Sequence, residues 1–148
     1  MINPDFLREE WLPRVKKVIA PIKKRGIKVL FHSDGNIWEF IDDLIDAGFE
    51  GINPLEPIAG MEIGKVKKKY GDKLVLLGGI DCSQTLPLGS PNDVEKAVIK
   101  AIKEGAPGSG FCLGSSSEIR TGTPVINAIT MFKTAAKYGR YRPKAKFN

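Results

Sequence analysis

Apolar positions recur along the chain with changing period, and the changes predict alternating helices and strands. Between residues 5 and 25 they fall at Phe6, Trp11, Val15, Val18, Ile19 and Ile22. Those steps mark an amphipathic helix. Pro13 and Pro21 should break or bend it, and Gly26 ends it. Short continuous apolar runs then read as buried strands at residues 27–32, 51–54, 74–80 and 110–113. Helical patterns return at 37–47, with Asn36 as its cap and Gly48 as its terminator, and at 61–70. A third begins at the Ser90-Pro91 signal and runs to Glu104, with Val94, Ala97, Val98, Ala101 and Ile102 inward; the last spans 124–138. Residues 83–89 read as a loop.

The order is α(βα)₄. Strands alternating with helices predict an α/β fold with a parallel sheet. Four βα units are half of an eight-stranded barrel, which typically takes about 250 residues. One face of such a sheet is left without helices, unless the helices split over both faces as a doubly wound sheet. Side chains such as Leu30, Leu76 and Phe111 are expected to point toward a missing half, supplied by another copy of the chain or by an N-terminal half.

Composition changes this picture little. The chain has 148 residues, 42% hydrophobic and 27% charged, as in an ordinary soluble globular domain, and reads as one domain, 1–148, with a basic tail at 142–148. No apolar run reaches the roughly 20 residues of a membrane span. The N-terminus lacks the basic start and apolar stretch of a signal peptide, so a cytoplasmic protein is expected. The net charge is +6, but its lysines and arginines lie mostly among acids on helix faces or near helix ends. No basic stripe interleaved with aromatics points to nucleic acid. Cys82 and Cys112 read as free, mostly buried thiols.

Chemistry concentrates where the strands end, the place parallel βα folds use for their sites. His32-Ser33-Asp34 follows the first strand and holds the only histidine. The pair can bind a divalent metal or form a general base with its orienting carboxylate, or it can be a strand-end turn. Glu56 follows the second strand between two prolines and Asp81 follows Gly78-Gly79 after the third. Gly114-Ser115-Ser116-Ser117-Glu118-Ile119-Arg120 ends the fourth, offering hydroxyls and amides to an anion. His32, Asp34 and Asp81 are the catalytic candidates; Asn36, Glu56, Ser115, Ser117 and Arg120 are the substrate-binding ones. Gly105 to Gly110 precedes its strand, so it is not a phosphate loop.

Several of these motifs together resemble the uroporphyrinogen decarboxylase family. They are Phe31-His32-Ser33-Asp34-Gly35-Asn36, the run Gly51 to Pro57 with Gly60-Met61, and Tyr70-Gly71-Asp72-Lys73-Leu74 leading to Gly78-Gly79-Ile80-Asp81. Gly114 to Ile119, Gly122-Thr123-Pro124 and Tyr138-Gly139-Arg140-Tyr141 complete the set. The likeness covers about residues 25–141 and implies the C-terminal half of a (βα)₈ barrel. It also implies one of two activities on a small molecule: cofactor-free decarboxylation of acetate side chains of a tetrapyrrole, or zinc-dependent methyl transfer from a methylated compound with a corrinoid protein as partner. In the methyltransferase branch an H-x-C pair and a later cysteine hold zinc. Here His32 matches the histidine, Asp34 stands at the first cysteine and Ser117 lies near the later one, so His32 and Asp34 are the metal candidates. Ser117 also lies near a histidine of the decarboxylase branch. The chain departs from both patterns. A non-catalytic binding domain, or a truncated and inactive fragment, is the alternative.

Overall fold

The computed structural model describes residues 3–141; the tail expected at 142–148 lies outside them. The chain enters through α1 (Pro4–Phe6), a π-helical turn (Leu7–Trp11) and α2 (Leu12–Lys24). Pro13 follows the π turn in a helical run unbroken from Pro4 to Lys24, and Pro21 lies inside α2 without ending it. The run is broken at neither proline; the π turn just before Pro13 accommodates its missing N–H. There follow β1 (Leu30–His32), α3 (Ile41–Ala47), β2 (Gly51–Leu55), α4 (Ile63–Tyr70), β3 (Val75–Ile80), α5 (Thr85–Leu88), α6 (Pro91–Gly105), β4 (Phe111–Ser115) and α7 (Val125–Tyr138).

The four strands are all parallel in the order β1-β2-β3-β4, as in half of a (βα)₈ barrel. Two predicted elements differ in detail. Residues 37–40 form a 3₁₀ turn (Trp38–Phe40) before α3, because the Asn36 side chain accepts from the Trp38 N–H and holds a tight turn. The loop predicted at 83–89 contains α5, a single helical turn.

Register sorts the strand residues into rows. Phe31, Ile52, Leu76 and Phe111 pair across the sheet and lie against the helices. Ile52 and Leu76 are fully buried there, packed with Ile41, Val66 and Val98. The row before it, Leu30, Gly51 and Val75, faces the side without helices, where Leu30 is 44% and Val75 38% exposed. Leu76 and Phe111 thus do not face the missing half as expected; Leu30 does, with Val75 and Leu77. Nearly continuous apolar strands hide this, because both faces are apolar and only register separates them.

A second cluster fastens α2. Trp11 meets Phe31, Phe40 and Phe49 at 5.8, 6.0 and 6.1 Å between ring centroids, with Leu12, Ile19 and Leu44 buried around them. At the far end the Tyr141 hydroxyl donates to Phe111 O at 2.9 Å and accepts from Phe111 N–H at 3.2 Å, pinning the start of β4.

Helix α6 starts as its sequence predicts. Ser90 Oγ accepts from the Asp93 N–H while Asp93 Oδ2 accepts from the Ser90 N–H and hydroxyl, a reciprocal cap. Those bonds from Ser90 hold the Asp93 carboxyl below its ordinary pKa. Ser90→Ala should lower stability by about 1 kcal/mol in urea denaturation. Because the Asp93 pKa is lowered, its contribution is present above the unfolded-state value and lost as pH falls through the folded one. The wild-type and Ser90→Ala curves should therefore converge in acid.

Candidate functional site

At the carboxyl ends of the strands, on the side without helices, lies an open concavity of about 540 Å³. His32 and Asp34 come from β1 and its loop, Asn53 and Pro54 from β2, Leu77 and Gly78 from β3. Cys112, Ser115, Ser117 and Glu118 come from β4 and beyond. The row that follows Phe31, Ile52, Leu76 and Phe111 places these groups: His32 pairs with Asn53, and Leu77 with Cys112. Alternation along a strand turns each to the face opposite its buried neighbour.

Asn53 Nδ2 lies 3.0 Å from His32 Nδ1. With the amide donating, Nδ1 is the acceptor and the ring proton sits on Nε2. Nε2 is 4.0 Å from Asp34 Oδ1, and both side chains are more than half exposed. The imidazole is thus held at Nδ1 by a neutral amide, with Nε2 toward Asp34, and both residues line the concavity.

The β4 loop supplies the opposite wall. The Ser115 hydroxyl donates to Ser117 O, and Ser117 Oγ donates to Glu118 Oε2 at 2.7 Å. That bond, ahead of Arg120 with its Nε 3.8 Å from Glu118 Oε1, holds the Glu118 carboxyl below its usual pKa. Ser116 is turned inward: it is fully buried, its Oγ accepting from the Cys82 N–H and its own N–H donating to Ile80 O. This ties the tops of β3 and β4 together.

Of the residues predicted from sequence, His32, Asp34, Ser115 and Ser117 meet in this concavity, and Arg120 stands beside it through Glu118. Three others are placed elsewhere. Asp81 accepts from the backbone N–H groups of Ser83, Gln84 and Thr85 at 2.7, 3.1 and 3.4 Å, so its carboxylate is occupied by the turn into α5. Asn36 lines a separate apolar cavity of about 670 Å³ with Leu7, Trp11, Phe31 and Phe40. Glu56 is buried, with Oε1 lacking a hydrogen-bond partner. Sequence reasoning missed Asn53 and Cys112. Asn53 was signalled by its place in β2, one residue past buried Ile52. Cys112, expected to be buried, is exposed.

A catalytic zinc takes three protein donors. Among the described residues no three His, Cys, Asp or Glu side chains gather to hold a metal. The expected zinc finds only the His32–Asp34 pair, and a carboxylate stands where the resemblance implied a thiolate. The donors do not fit that kind of site. No helix among the described residues is long and apolar enough to cross a membrane.

A parallel sheet of four strands with alternating helices and polar groups at the strand ends is part of a (βα)₈ barrel. The chain belongs to the uroporphyrinogen decarboxylase family, whose model matches residues 1–138. It is 35% identical over 116 residues to the methylcobamide:CoM methyltransferase MtaA of Methanosarcina barkeri, covering 75% of this chain and 32% of the relative. It is 21% identical over 143 residues to the uroporphyrinogen decarboxylase of Coxiella burnetii, covering 93% and 38%. A methyltransferase from Methanosarcina mazei has the same fold, with a TM-score of 0.74 at 22% identity over 95% of this chain and 39% of that one. The chain thus spans roughly a third of the length of the curated relatives it matches.

Proposed function

We propose that the chain forms one half of a pocket for a carboxylate-bearing small molecule, and that the reaction is a cofactor-free decarboxylation with His32 as the proton-transfer group. The observation that carries this reading is the Asn53–His32 contact, which holds the ring through Nδ1 at the wall of the concavity. The hydroxyls and amides of the Ser115–Ser117 loop face it from the other side and suit an anionic substituent. In this reading the bond between an acetate carboxylate and its methylene carbon breaks and CO₂ leaves. The electron pair stays on the methylene carbon, conjugated with its pyrrole ring, and that carbon takes the proton from Nε2 of His32 in its imidazolium form, with the Asn53 amide turned so that its oxygen accepts from Nδ1–H; the ring is left neutral.

The second reading is methyl transfer in a corrinoid system, favoured by the higher identity to MtaA. Two assays separate them. Uroporphyrin, a tetrapyrrole polycarboxylate, should quench its fluorescence saturably on binding the chain, and Ser117→Asp should weaken that binding at least tenfold by setting a like charge against the substrate. Demethylation of methylcobamide with coenzyme M, with and without zinc, should show no zinc-dependent rate. A zinc-dependent rate without uroporphyrin binding would overturn the first reading in favour of the second.

A further inference from the structure

Beside the concavity lies a separate cavity of about 670 Å³ that no group of the proposed reaction uses. Leu7 and Trp11, the first and last residues of the π turn, line it together with Phe31, Ile37 and Phe40. Phe49 stacks on Trp11, with ring centroids 6.1 Å apart and planes 5° apart, and does not line the cavity. Trp11 is thus braced by a ring neighbour and still open to the cavity. A space of this size, walled by rings and aliphatic chains, has the dimensions of a small-molecule pocket. Water fills it poorly, because each molecule needs about two to four polar partners.

Most polar groups of the lining are already engaged. The Ser33 N–H donates to Asn53 O, and Ser33 Oγ accepts from the Gly35 N–H. Asn36 Oδ1 accepts from the Trp38 N–H, and the Glu39 carbonyl accepts from Arg8 Nη2 at 2.8 Å. A polypeptide segment laid there would bring N–H and C=O groups that find few partners. A small molecule brings none of that requirement. The Glu39 carboxylate is the exception among the lining groups, for it makes no ion pair among the described residues. Arg8, the cation beside it, is occupied by Asp5 at 3.1 Å and Asp43 at 2.8 Å. Glu39, Asp5 and Asp43 together outnumber Arg8, so the rim carries net negative charge. An aromatic body with a cationic amine matches both features: the apolar walls take the body, while the acidic rim and the ring faces favour the cation.

The loop after β1 connects this cavity to the imidazole. Ser33, Gly35 and Asn36 line the cavity, and the interleaved His32 and Asp34 line the concavity. An occupant in contact with Ser33 and Gly35 therefore acts on the peptide units that carry His32 and Asp34.

We propose that the cavity binds a flat aromatic amine as its ammonium ion, with the charged group at Glu39, and that its occupation sets the placement of His32. The ligand does so by binding one arrangement of the loop better than the others. The coupling is reciprocal: whatever fixes His32 in the concavity changes the affinity of the cavity by the same factor.

The test is calorimetric titration of the 148-residue chain with naphthylmethylamine and, in parallel, with naphthylacetate. The amine is expected to bind at a single site, roughly tenfold or more tighter than the acetate, whose charge the rim repels. Glu39→Gln should weaken the amine about fivefold, the upper end for an exposed ion pair. Leu7→Trp, which fills the cavity, should abolish binding. His32 is the only histidine, so its ring Cε1–H resonance reports the coupling directly. It should move with the midpoint of the calorimetric curve, and at correspondingly higher amine concentration in Glu39→Gln. Equal affinity for the two probes, or binding unchanged by both substitutions, would place the amine elsewhere, such as the open apolar face around Leu30, and overturn the proposal. So would absence of binding, or a His32 resonance unmoved at saturation. The resonance is read without turnover, so this conclusion and the decarboxylation reading can fail independently.

Discussion

Replacing His32 by alanine should slow CO₂ release from uroporphyrinogen by about 100-fold or more, the usual contribution of a positioned acid or base. Binding of the oxidised porphyrin should weaken far less, by about fivefold, since one hydrogen bond contributes only about 1 kcal/mol. Asn53→Ala should slow the reaction about tenfold through loss of the ring's orientation, as outer-shell partners of histidines typically do. The split between rate and binding separates proton transfer from mere contact. A His32→Ala rate equal to wild type would leave His32 as a wall of the pocket and remove the acid–base reading.

Gly79→Ala should destabilise the fold by about 2–4 kcal/mol, the sum of backbone strain and overpacking. Gly79 has φ +102°, in the region L side chains avoid. An added Cβ would lie 2.2 Å from Ile63 Cδ1 and 2.9 Å from Ile63 Cγ1, and Ile63 is itself buried against β3 at the start of α4. The midpoint of urea unfolding measures the total. Adding Ile63→Val, which removes the closest atom, should recover part of the packing cost and leave the strain and the contact with the remaining γ carbon. If Ile63→Val recovered nothing, overpacking by the δ carbon would not contribute to the loss.

The sequence carried the order and direction of the strands because each one is a short apolar run between turn signals, a pattern helices do not share. It did not carry which strand residues face the helices. Leu30, Leu76 and Phe111 look alike in a run apolar throughout, and only pairing puts Leu30 on the open face and the other two in the core. Among the site residues, His32, Asp34, Ser115 and Ser117 were legible because their loops leave β1 and β4 toward one end of the sheet. Asp81 and Asn36 were read as site residues because spacing does not tell an open side chain from one that bonds the backbone a few residues on, although the capping role of Asn36 was legible. Asp81 is held by the amides of Ser83 to Thr85 and Asn36 by that of Trp38. Burial of Glu56 depends on how the loop after β2 packs, and spacing does not encode that.

The loop after β1 divides its residues between two surroundings. His32 and Asp34 border the open concavity, while Ser33, Gly35 and Asn36 line the cavity beside Trp11 and Phe31. Five consecutive positions are therefore read from both sides at once. A substitution at Trp11 or Leu7, with no atom bordering the concavity, would reposition the loop and displace the imidazole with it. Tolerance to change in the N-terminal helix is consequently bounded by how closely the imidazole must be placed, so this stretch should drift no faster than the residues that border the concavity.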